Sequence, residues 1–184
     1  VAKARFVAIL VTALATAPLA SADDSGPLTV LIDAAAERLQ VAEPVAAYKW
    51  GTHTAIEDSA RVDQELATLR ADATALDIDP DYVARIFSDQ VRATEAVEYS
   101  RFAQWKLDGA AVPPSPPDLS ASRALIDALN TKILSQVSLN WSLLHSPSCQ
   151  YRVEEAREAV RRVRGFDDLY QRALDAATRS YCQG

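Results

Sequence analysis

Histidine, cysteine and glycine are the scarce residues of this sequence, and each shortage removes a class of chemistry. The two histidines, His53 and His145, are not followed by another histidine at i+3 or i+4, and no E-x-x-H occurs. That spacing is the one carboxylate-bridged metal sites in helical bundles use. The two cysteines, Cys149 and Cys182, form no C-x-x-C and fit no zinc spacing. No metal or other cofactor is expected. The five glycines are scattered, so no glycine-rich loop is present to cradle a phosphate, and no serine sits in a G-x-S-x-G elbow. Alternating strand patterns are rare, while alanine and leucine abound. An all-α fold is expected, and 184 residues suffice for one sizeable domain.

A surplus of positive charge is also missing. The chain carries 19 Lys and Arg against 25 Asp and Glu. A binder of the nucleic-acid backbone needs a basic face, so nucleic acid is excluded as a partner. Any anionic ligand must be held by a local basic cluster against the global field.

Residues 1–22 read as a cleaved secretory signal and 23–184 as the domain. Lys3 and Arg5 precede an apolar stretch from Phe6 to Leu14, and Ala20-Ser21-Ala22 fits the small-residue cleavage rule. The alternative, a membrane anchor, needs a run of about 20 apolar residues, longer than this one. Cleavage before Asp23 would leave 17 cations against 25 acids, a net charge of −8. The expectation is export, to a periplasmic or cell-wall space or to the medium, with no membrane attachment afterwards. In an exported chain Cys149 and Cys182 read as a disulfide; two free thiols are the alternative.

Periodicity predicts a bundle of about six helices. The first runs from about Leu28 to Trp50 and is kinked or restarted by Pro44. A second covers about Ile56 to Leu76. Asp79-Pro80 opens a long third, to Leu107. The run PPSPP, residues 113–117, cannot be helical and reads as an extended linker. Asp118 or Ser120 then caps a helix from about Ala121 to Leu144, with Leu125, Ile126, Leu129, Ile133 and Val137 inward. Segments Tyr151 to Arg164 and Phe166 to Cys182 follow, punctuated by Gly165.

The polar residues that share faces with the core are the informative ones. On the long helix, Thr94 and Glu98 fall at the centre of the face that carries Val83, Phe87, Val91, Val97, Phe102 and Trp105, while Asp89 falls opposite. A carboxylate aimed at a core needs cationic partners, a proton or a polar cavity. Arg38 and Lys49 lie nearly three turns apart on the first helix. Asp58, Arg61 and Glu65 form one stripe on the second, and Arg123 flanks the apolar face of its own helix. Each also has an ordinary structural reading, as a snorkelling cation or a local helix pair.

The segments LIDAAAERLQVAEPVAAYKW, IEDSARV, DPDYVARIFSDQVRATEAVEYSRFAQWK, PPDLSASRALIDALN and LYQRALDAATRSYCQ resemble the exported, all-helical class of chorismate mutases over essentially the whole chain after residue 22. The resemblance implies an isomerase that rearranges chorismate to prephenate, without cofactor. It implies that Arg38, Arg61 and Arg123 bind substrate carboxylates, that Lys49 serves the ether oxygen and an adjacent carboxylate, and that Thr94 bonds a carboxylate. It also implies that Glu98 faces the ether oxygen from the other side and that Asp58 accepts from the substrate hydroxyl or orients the cations. Glu65 stands where an amide is expected, and its implied role is either to accept from that hydroxyl or to pair with Arg61. The subclass is expected to be a homodimer with each site inside one chain. The alternative from a different functional class is a non-catalytic exported helical protein that binds carboxylates or a partner.

Overall fold

The computed structural model describes residues 26–109 and 111–183. The expected signal segment lies outside the described residues. Helices account for nearly all of the ordered structure, in the order α1 (Thr29–Gln40), α2 (Ala42–Thr52), α3 (Ser59–Ala75), α4 (Pro80–Leu107), α5 (Ser120–Leu139), the single turn α6 (Trp141–Leu144), α7 (Cys149–Arg164) and α8 (Asp168–Ala177), followed by a 3-10 turn at Arg179–Tyr181. No helix among the described residues is long and apolar enough to cross a membrane.

Local chemistry explains the boundaries. The first predicted helix is two, broken only at Val41, which keeps helical backbone angles. Pro44 falls in the first turn of α2, where its missing N–H costs nothing because the first amides of a helix lack intrahelical acceptors. The break is therefore slight, and Arg38 and Lys49 stay on one side. The second helix starts at Ser59 and not at Ile56, because the Asp58 side chain caps it by accepting from the Arg61 amide at 3.2 Å. Asp58 is thus a cap at the head of the Arg61–Glu65 stripe rather than a member of it. The α4 helix spans the predicted range, with Asp79 accepting from the Asp81 amide at 2.9 Å. Asp118 accepts from the Ser120 amide at 2.7 Å at the start of α5. Gly165 closes α7 in the left-handed region at φ 61°.

The long α4 is the axis of the bundle: α1, α2, α3, α8 and the 3-10 turn all pack on it. It is consequently buried on more than one face. Tyr82, Ile86, Phe87, Gln90 and Val97 have no exposed surface. Asp89, predicted to face outward, is buried because the C-terminal segment covers it, and the Ser180 hydroxyl donates to it at 2.6 Å. Leu125 departs the other way. It is 44% exposed, while Leu129, Ile133 and Val137 carry the core face of α5. The Cys149–Cys182 disulfide is formed, with Cα atoms 5.7 Å apart, and ties the start of α7 to the end of the 3-10 turn. Tyr82 donates to the Tyr181 carbonyl at 2.6 Å, anchoring the same segment to α4.

Candidate active site

The α3 helix packs on α4, and α5 packs on α1, but α3 and α5 make little direct contact with each other. A cavity lies in that gap. Its lining includes all eight polar residues singled out above: Arg38 from α1, Lys49 from α2, Asp58 from the α3 cap, Arg61 and Glu65 from α3, Thr94 and Glu98 from α4, and Arg123 from α5. Apolar side chains, among them Val45, Ile56, Val91, Leu119 and Ile126, complete the wall. A ligand with an apolar ring and several oxygen-bearing substituents suits such a lining.

Two ion pairs cross the interior. Lys49 Nζ donates to Glu98 Oε2 at 2.9 Å and to the Ile56 carbonyl at 2.6 Å. Burial pushes the Glu98 carboxyl above the ordinary carboxylate range, while the Lys49 ammonium opposes that rise. Arg38 Nη2 donates to Glu65 Oε1 at 2.7 Å. Desolvation lowers the Arg38 guanidinium, and Glu65 counters it. Arginine cannot shed its proton in a protein, so this cation must be accommodated charged. Glu65 therefore pairs with Arg38 across the interior rather than with Arg61 on its own helix.

The remaining members differ in exposure. Thr94 donates to the Gln90 carbonyl at 2.9 Å, so its lone pairs face the cavity and the Arg38 guanidinium. Arg61 is half-exposed and reaches Asp127 on α5 at 3.6 Å, across the gap. Arg123 is exposed at the rim.

Two functional candidates escaped the sequence reading. Asn130 is 5% exposed, accepts from Arg38 Nε at 2.7 Å and donates to Glu65 Oε1 at 3.0 Å. Its signal was available: Asn130 follows Arg123 by seven residues, two turns along one helix face. Glu95 also lines the cavity, and its carboxyl is raised by burial first and by neighbouring Glu57 second. It was overlooked because a one-face wheel places it beside the apolar stripe and not within it.

The charges decide what the cavity can do. Its lining holds four cations, Arg38, Lys49, Arg61 and Arg123, and four carboxyls, Asp58, Glu65, Glu95 and Glu98. Fully ionised, it would be neutral. The Arg38–Glu65 pair leaves that balance unchanged, so the cavity attracts a dianion to the extent that Glu98 and Glu95 take up protons. No nucleophile paired to a base stands in it. The chemistry available is restraint of a small anionic ligand between arginine forks and hydrogen-bond donation to charge that develops on it.

Residues 29–99 match the family model for chorismate mutase type II. The chain is 59% identical over 166 residues to a secreted chorismate mutase of Mycobacterium tuberculosis, an alignment covering 90% of this chain and 83% of that protein. It is 49% identical over 177 residues to a secreted chorismate mutase of Mycolicibacterium smegmatis, covering 96% and 98%. The crystal structure of chorismate mutase from Burkholderia phymatum superposes with a TM-score of 0.82 at 28% identity, over 86% of this chain and 97% of that one.

Proposed function

The chain belongs to the chorismate mutase family and has the isomerase activity of that family; on that premise, we propose how its own residues carry out the rearrangement of chorismate to prephenate. The substrate carries two carboxylates, an ether bridge and a hydroxyl. The reaction breaks the ether C–O bond and forms a C–C bond in one intramolecular step, with no proton gained or lost overall. A catalyst has two tasks: to hold the reacting carbons together, and to stabilise the negative charge that gathers on the ether oxygen.

The arginines serve the first task. Arg38, held at the cavity wall, and Arg61 and Arg123, nearer the rim, bind the carboxylates in fork geometry, and Thr94 adds a hydroxyl contact by turning its proton from the Gln90 carbonyl to a carboxylate oxygen. Asp58 meets the substrate hydroxyl. Lys49 and Glu98 serve the second. They approach each other from α2 and α4, and a substrate that parts them places its ether oxygen between an ammonium and a carboxyl. The Lys49 ammonium donates from one side. A protonated Glu98 donates from the other, and its burial supports that protonation.

The observation that carries this reading is the convergence of Arg38, Lys49, Arg61, Thr94, Glu98 and Arg123 on one cavity. Loss of the chorismate ultraviolet band tests it. Purified protein is expected to consume chorismate far above the uncatalysed rate. No excess over that rate anywhere from about pH 4 to 8 overturns the reading.

Two further expectations belong to the same reading. We infer export with cleavage before Asp23, supported by the signal-like residues 1–22 and by relatives named as secreted. Amino-terminal sequencing of the exported protein should begin Asp23-Asp24-Ser25. We also infer a homodimer from the resemblance to the exported subclass; sedimentation velocity should give a single species of twice the chain mass.

A further inference from the structure

Arg38 is tethered on two sides before any substrate arrives. Its Nε–H reaches Asn130 Oδ1 at 2.7 Å and its Nη2 reaches Glu65 Oε1 at 2.7 Å, while Nη1 lies 3.4 Å from Thr94 Oγ1. Asn130 closes the triangle by donating to the same Glu65 oxygen at 3.0 Å. The amide orientation is determined by its neighbours. Turned over, Asn130 would set its NH2 against the Arg38 N–H and its oxygen against the Glu65 carboxylate, opposing like groups at both contacts.

Three tethers occupy three of the five guanidinium N–H groups. One hydrogen on each terminal nitrogen then has no partner among the described residues, and together these two can meet a carboxylate. The orientation of that pair depends on the group that holds Nε, at the root of the fork. Glu65 alone cannot supply it. A carboxylate on a flexible stem from α3 can follow the arginine wherever it turns, or leave it. Asn130 has a shorter side chain, is buried on α5 and binds both partners at once.

We propose that Asn130 is a positioning residue: by bridging Arg38 Nε and Glu65, it aims the Arg38 fork at the substrate carboxylate and keeps Glu65 from turning into the cavity, where it would repel that carboxylate. This rests on the assignment of Arg38 as a carboxylate binder. It also accounts for a carboxylate at 65 where the family resemblance leads one to expect an amide. Here an amide, Asn130, meets that carboxylate from the opposite helix, and both groups bind Arg38. Asn130 does not touch the reacting atoms and acts through Arg38.

The test is a double-mutant cycle read in steady-state kinetics with chorismate. Asn130→Leu, which keeps the branched heavy-atom skeleton, removes both bonds. It is expected to raise KM by about tenfold or more with a smaller change in kcat, since the carboxylate contact is made in ground and transition states alike. In an Arg38→Lys background, which lacks the Nε–H, the same change should move KM less than about twofold. Equal factors in the two backgrounds overturn the proposal, because a merely structural asparagine would act alike in both.

A near-isosteric replacement, Asn130→Asp, covers the case in which the leucine variant does not fold. It keeps an acceptor for Nε but sets a second carboxylate against Glu65, and kcat/KM should fall by about 10- to 100-fold. Adding Glu65→Gln restores one carboxylate and one amide around Arg38 and should recover most of that loss. An unchanged Asn130→Asp enzyme, or a double variant no better than the single, refutes the bridging role. Absence of turnover by the unaltered protein would instead refute the proposed function, so the two failures are distinct.

Discussion

Lys49 Nζ and Glu98 Oε2 lie 2.9 Å apart in the cavity wall, joining α2 to α4 across 49 residues of sequence. Glu98 is the more deeply buried partner, at 4% side-chain exposure against 12% for Lys49. Burial raises the carboxyl pKa and the ammonium opposes it. In the proposed mechanism the pair offers two donors to one ether oxygen, and Glu98 is one of them only while it is protonated.

The pH dependence of turnover follows from that difference. The folded Glu98 carboxyl titrates above its ordinary value, so the protonated, donating form prevails below the raised pKa and disappears as pH rises through it. Activity is expected to decline along that limb. Glu98→Gln, a permanent donor, should remain active with a flatter profile over the same range. A Glu98→Gln enzyme as inactive as Lys49→Ala contradicts donation by Glu98.

Lys49→Ala removes the other of the two proposed donors. Loss of one preorganised donor to developing negative charge costs about 10²–10³ in rate, and kcat should fall by that order. The fold should tolerate the change, because a buried Glu98 deprived of its cation can take up a proton. Circular dichroism and denaturant titration separate the two effects.

Glu65→Ala should behave in the opposite way with respect to stability. Its partner Arg38 is 3% exposed and cannot neutralise itself. Breaking a buried ion pair on one side costs about 3–5 kcal/mol, to be read as a lower midpoint in urea at unchanged slope. A cost below about 1 kcal/mol would mean that Asn130 and Thr94 suffice to hold the guanidinium.

The disulfide should matter for stability and little for chemistry. Cys149 and Cys182 are 33 residues apart, and neither lines the cavity. On the chain-entropy account, replacing both by serine should cost roughly 3–4 kcal/mol. At temperatures where the variant stays folded, kcat/KM should be retained within about twofold, since contacts distant from a site act nearly independently of it.

Much of this was legible from one dimension. The limits of α4, the restart at Pro44, the proline linker and the inward direction of Glu98 all depend on interactions within a few residues: capping, a missing amide and the 3.6-residue period. Where a second layer of packing intervened, the reading failed. Asp89 turned out buried because residues 91 positions later fold over it, and Leu125, at 44% exposure, lies off the face that α5 turns to the core.

The sequence by itself determined the class of helix bundle, the inventory of cations, hydroxyl and carboxyls, and the face on which each would stand. Only the tertiary structure decided who meets whom. Arg38 finds Glu65 27 residues away and Asn130 92 residues away, and Arg61 reaches Asp127 on α5 instead of Glu65 one turn along its own helix. Helical periodicity sets the direction of a side chain and not its partner. The partner depends on which helices the apolar faces bring together, and that choice is made by packing over the whole chain.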